Sequence, residues 1–85
     1  MARSETFVIV YRLEAHDNYD SVDNFIEAIS DYAIASSDEN CTIIIVVSSD
    51  VLNLTKLCNI ALKHFGKDGY NISTLGLLGP FKKLN

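Results

Sequence analysis

An 85-residue chain that is 48% hydrophobic, 21% charged and holds a single proline is long enough for one domain with its own core and too apolar for disorder. Its net charge of −4 argues against avid nucleic-acid binding, which rests mainly on neutralising phosphates. The longest apolar run, Ile43 to Val47, is far short of the roughly 18 residues of a membrane span, and the opening Met-Ala-Arg-Ser-Glu-Thr lacks a secretory apolar segment, so the expected compartment is the cytoplasm.

Thr6 to Leu13 is β-branched and aromatic, apolar on both alternating faces until Arg12, which predicts an interior strand. Glu14 to Tyr19 reads as a polar loop. Ser21 is placed to cap a helix whose apolar positions Val22, Phe25, Ile26 and Ile29 recur at spacings of three and four. Tyr32 to Ala35 either continues this helix or, with Tyr32, Ile34 and Ser36 alternating, forms a short second strand, and the strand is the favoured reading; Ser36 to Asn40 reads as a turn and Cys41 to Val47 as a central strand paired in a hairpin. Ser48-Ser-Asp50 supplies caps for a second helix carrying Leu54, Leu57, Cys58, Ala61 and Phe65, with Lys63 and His64 in its last turn and Gly66 at its end. Tyr70 to Leu78 reads as the last strand, cut off by Gly79-Pro80, with Gly76 and Gly79 marking a bulge or a close approach.

The order β-α-β-β-α-β predicts an α+β fold of the ferredoxin-like type over residues 1–85, a four-stranded antiparallel sheet with both helices on one face. Cys41 and Cys58 sit in apolar runs and are expected to be core thiols rather than a disulfide. The three Asn-x-Ser/Thr triplets, at Asn40, Asn53 and Asn71, carry no weight in a chain expected to stay inside the cell.

Phe7-Val-Ile-Val-Tyr-Arg-Leu13, a loop with Tyr19-Asp20, and a helix containing Phe25-Ile-Glu-Ala-Ile29 resemble the small subunit of CRISPR adaptation and, more closely, its SinR-like and VapD-like relatives. The strand from Thr42 to Val47, followed by Ser49-Asp50 and an apolar helix, fits the same pattern. The resemblance implies a divalent-metal site, paired across a two-fold axis, for cleaving phosphodiester bonds, with an Asp at the end of the first strand. Here that position is Arg12, which stays protonated and cannot ligate Mg²⁺. Glu14, Asp17 or Asp20 are the replacements a weak metal-dependent nuclease would need.

The residues themselves show no other chemistry. His16 and His64 are isolated, the cysteines form no paired zinc motif, and no Gly-rich phosphate loop precedes a helix; no cofactor, catalytic residue or metal ligand is assigned. Charge is uneven instead. Residues 1–50 carry ten acids against Arg3 and Arg12, whereas residues 51–85 carry Lys56, Lys63, Lys67, Lys82 and Lys83 against Asp68. Arg12, Glu14, Asp17, Asp20, Asp23, Glu27 and Asp31 form the candidate contact surface for a basic protein partner such as a nuclease, a toxin or another nucleic-acid-binding protein.

Strands this apolar exceed what one helical layer covers, so Tyr11, Ile44, Val46, Leu75 and Leu77 are expected on a second sheet face packed in a homodimer. The function expected is therefore a non-catalytic protein-binding module, in the setting of a small antitoxin or an inhibitor carried by a phage or mobile element. A weak nuclease and a small-molecule-sensing regulatory domain are the alternatives.

Overall fold

A β-branched run that reaches across the whole molecule builds the centre of the fold. The computed structural model describes residues 5–16 and 19–82. In chain order these form β1 (Glu5–Ala15), α1 (Tyr19–Ile29), β2 (Ala33–Ser37), β3 (Thr42–Ser48), α2 (Leu54–Phe65) and β4 (Tyr70–Lys82). The four strands make one sheet in the order β2-β3-β1-β4, every neighbouring pair antiparallel. This is the α+β ferredoxin-like arrangement that the sequence predicts.

One face of the sheet meets the helices. It carries Tyr11, Leu13 and Ala15 from β1 and Ile43, Ile45 and Val47 from β3, all buried, with Ala33, Ala35, Tyr70 and Ile72 packed at the margins. Val22, Phe25 and Ile29 of α1 and Leu57 and Ala61 of α2 close the core from above. Phe25 lies at its centre, with the rings of Phe65 at 5.3 Å and His64 at 6.0 Å between centroids. The thiols of Cys41 and Cys58 are free, the first buried and the second half-buried.

Several element ends differ from the sequence-based expectation. Ser21 lies inside the first turn of α1 rather than capping it, since the helix begins at Tyr19. The cap of α2 is Asn53, whose side chain accepts from the Lys56 backbone N–H at 2.9 Å; Ser48 instead ends β3 and Asp50 lies in the turn beyond it. Only Leu57 and Ala61 of the predicted apolar side of α2 are fully buried, and Leu54 is exposed. β4 does not stop at Gly79-Pro80 but runs on to Lys82. The register with β1 slips between Thr6 and Val8, where the extra residues of β4 are Gly79 and Pro80, and Gly79 takes a φ of 126°. A proline without a backbone donor is tolerated there because β4 is an edge strand and the slip frees it from the ladder.

Tyr11 also departs from expectation. It is buried against the helices, 3% exposed, on the opposite side of the sheet from Ile44 and Val46. Its neighbours Arg12 and Glu14 are the outward pair of β1, and the pleat turns Tyr11 and Leu13 inward. Among the described residues no helix is long and apolar enough to cross a membrane.

Candidate functional site

α1 is amphipathic because its apolar residues fall at Val22, Phe25, Ile26 and Ile29, which forces Asp20, Asp23 and Glu27 onto the outer side. All three are exposed, and Asp31, in the turn that follows, is exposed as well. The spacings of three and four align these carboxylates along one edge of the molecule. Among the described residues none of the four has a cationic partner within ion-pair distance.

Their placement is uneven in its effect on the helix. Asp20 sits in the first turn, where it complements the positive end of the helix dipole. Glu27 and Asp31 sit at the other end, where exposed carbonyl groups already concentrate negative potential, and the last turn holds no basic residue. α2 shows the ordinary arrangement at its C-terminal end, with Lys63 and His64 in its last turn.

The other members of the predicted surface lie elsewhere. Arg12 and Glu14 project from the sheet face away from the helices, joined by an ion pair of 2.6 Å between Nη2 and Oε1. They therefore do not continue the α1 stripe; the sheet separates the two groups. Asp17 lies outside the described residues. Glu14 is committed to Arg12, and the described residues contain no cluster of three or more His, Cys, Asp or Glu groups suited to a metal ion.

The histidines are held by local contacts. His16 donates its backbone N–H to the Gly69 carbonyl at 3.0 Å, and its ring Nδ1 lies 3.2 Å from the Asp68 carbonyl oxygen. This ties the end of β1 to the turn before β4. His64 stacks edge-on against Phe25.

Two tyrosines have displaced acidities. Burial raises the Tyr11 hydroxyl above its usual 10.0, with the neighbouring Cys58 adding to the effect. Tyr70 is raised by burial and by Cys58, and its hydroxyl donates to the Cys58 carbonyl at 3.2 Å. Both groups belong to the packing between α2 and the sheet.

A groove of about 380 Å³ runs between the turn after α1 and the start of α2, floored by Leu52 and Ile60 and edged by Tyr32, Lys56 and Asn59. Its volume is within the range of small-ligand pockets. Tyr32 and Val51 on its rim are each about half exposed, at 52% and 47%, so the groove is shallow.

No family model matches this chain, and no curated protein or solved structure does so either.

Proposed function

We propose that the protein is a non-catalytic binding module that engages a basic protein partner through the outer side of α1 and the turn beyond it, with Asp23, Glu27 and Asp31 as the central contacts. The observation that supports this reading is the placement of Glu27 and Asp31 at the negative end of the helix dipole, with no ion-pair partner for either among the described residues. Each such carboxylate costs the free protein about 0.3–1 kcal/mol. Folding alone favours lysine or arginine there, as α2 shows; a row of unpaired acids is useful to a partner that brings the missing cations. A small antitoxin or an inhibitor that occupies the phosphate-binding groove of a nucleic-acid enzyme fits this chemistry.

The test separates binding from stability by using one substitution with opposite effects on the two. Glu27→Lys places a cation at the C-terminal end of α1 and pairs it with Asp23 four residues earlier. The thermal midpoint of the free protein rises slightly, while capture of a stoichiometric basic partner from nuclease-treated lysate of the native host is lost. Capture by the native protein also declines steeply with added salt. A partner held equally well by native protein and Glu27→Lys overturns the proposal.

A further inference from the structure

On one side the sheet ends at β2, and that edge is unguarded. The Asp38 N–H donates to the Thr42 carbonyl at 3.0 Å, which fixes the alternation of the hairpin. Ile34 and Ser36 therefore exchange bonds with Val46 and Ile44, while the N–H and C=O groups of Ala33, Ala35 and Ser37 point away from β3. Among the described residues no strand pairs with them, because β3 is the one neighbour of β2. β2 holds no proline, lysine or register slip, the devices that ordinarily close such an edge. β4, at the opposite edge, has two register slips and Pro80, which lacks a donor. Of the residues predicted for a packed second face, Ile44 and Val46 lie on the outer side of the sheet next to β2. Leu77 pairs with Ile9 and so shares the helix side, Leu75 sits in the register slip between Gly76 and Thr74, and Tyr11 is in the core.

The surroundings of this edge are acidic. Asp31 stands two residues before β2, Asp38 and Glu39 follow it, and none of the three has an ion-pair partner among the described residues. Arg12 lies two strands away across Ile44 and is paired with Glu14. A depression of about 390 Å³ opens at the start of β2, walled by Val8, Ile34 and Val46, with the exposed Asp31 also lining it. Ile34 is 76% exposed there. An apolar wall beside a carboxylate suits lysine or arginine, whose methylene stem packs on the wall while its cation meets the acid.

We infer that β2 receives an extended basic segment of the partner as a fifth strand, bonded through Ala33, Ala35 and Ser37, with a Lys or Arg seated in the depression beside Asp31. The inference rests on the reading of α1 for the basic character of the partner and adds how that partner docks. Main-chain bonds supply the affinity and the depression supplies the selectivity. On the helix side β2 presents only the methyl groups of Ala33 and Ala35, which leave the edge open to a second backbone. Charge excludes another copy of the chain as the occupant. Antiparallel pairing of two β2 strands about Ala35 would bring Asp31 of each towards Glu39 of the other, acid on acid.

The test titrates a capped peptide of about six residues alternating Lys and Val into the isotope-labelled full chain, followed by NMR, with a Glu-Val peptide of equal length as control. At saturation the amide exchange of Ala33, Ala35 and Ser37 slows at least about tenfold, and the Glu-Val peptide changes nothing. Ala35→Pro removes one outward N–H without touching the ladder to β3, and Asp31→Lys reverses the charge at the depression; each weakens binding of the Lys-Val peptide about tenfold, with far-UV circular dichroism unchanged. Protection in the native chain is read without any variant, so it decides the matter even where Ala35→Pro unfolds. Shifts confined to α1, with no protection along β2, overturn the strand addition and leave the reading of α1 in place, which Glu27→Lys tests separately. A Lys-Val peptide that fails to bind at millimolar concentration, or binds no better than Glu-Val, also overturns the inference.

Discussion

Cys41 holds two conflicting demands in one residue. Its φ is 61°, in the left-handed region that favours glycine, yet its side chain is 2% exposed in the core. The turn before it is strongly specified. The Asp38 carboxylate accepts from the backbone N–H groups of Asn40 and Thr42 at 2.9 and 3.0 Å, and the Asp38 backbone closes the loop with Thr42 at 3.0 Å. That network keeps Cys41 in its strained conformation while β3 draws the thiol inward. Cys41→Val, which keeps the bulk but adds a branch at Cβ, is expected to destabilise by about 1–2 kcal/mol. Asp38→Ala costs a similar amount, about 1–2 kcal/mol, by removing the two side-chain hydrogen bonds that hold the turn. Urea denaturation of both variants measures this, and an unchanged midpoint for Cys41→Val would show that the turn relaxes.

At the scale of elements, α2 is fixed at both ends by backbone chemistry. Asn53→Ala removes its cap and is expected to cost about 1 kcal/mol. At the other end Gly66, with φ 81°, donates its N–H to the Leu62 carbonyl at 2.9 Å. Three residues on, a Cβ at Gly69 would overlap the Phe65 carbonyl. Gly69→Ala is therefore expected to be more damaging than Asn53→Ala, since it forces apart α2 and the turn that His16 grips. Comparing the two by thermal unfolding checks the ranking.

Which elements form, and in what order, is legible in the sequence because the Ile and Val run of β3 and the Phe25-Ile26-Ile29 stripe of α1 each have only one good burial solution. The ends are not legible. Ser21, Ser48 and Asn53 are all acceptable caps by type, and only the packed length of each helix chooses among them. The facing of β1 is hidden by apolar residues on both sides of the strand; the one available signal is the pair Arg12 and Glu14, two apart, which marks the outward phase and turns Tyr11 inward. In β4 the slips at Gly76 and Gly79 shift that phase, so Leu77 and Leu78 cannot be assigned to faces by counting from Tyr70. The acids of α1 are evident in the sequence, but their separation from Arg12 and Glu14 by the thickness of the sheet is visible only in the fold.

For the whole molecule, buried Tyr11 and half-buried Tyr70 set an alkaline limit to stability. The fold holds Tyr11 and Tyr70 neutral above the 10.0 at which an unfolded chain ionises them. Their contribution is fully present below pH 10.0 and is lost as pH rises from there through the folded values. Unfolding midpoints measured on either side of that pH fall on the alkaline side, and Tyr11→Phe loses less of its own stability over the same interval. Equal losses in the two proteins would assign the effect to other groups. The core itself rests on few side chains, and Phe25→Ala is expected to remove about 3–5 kcal/mol, a large part of the stability of a domain this size.

The pairing of Glu5 with Lys82 has a consequence for how the fold is reached. Among the described strands β1 comes first in the chain and alone pairs with both β3 and β4, so its second edge stays open until β4 arrives. Almost every contact of that ladder spans most of the chain, which makes closure slow relative to helix formation. During synthesis the nascent chain presents a long apolar strand with one unsatisfied edge, the form most prone to pairing with a neighbour. A stop anywhere before Tyr70 would fix the chain in that sticky state, so the integrity of the final segment decides whether this protein leaves the ribosome as a folded domain or as a seed for aggregation.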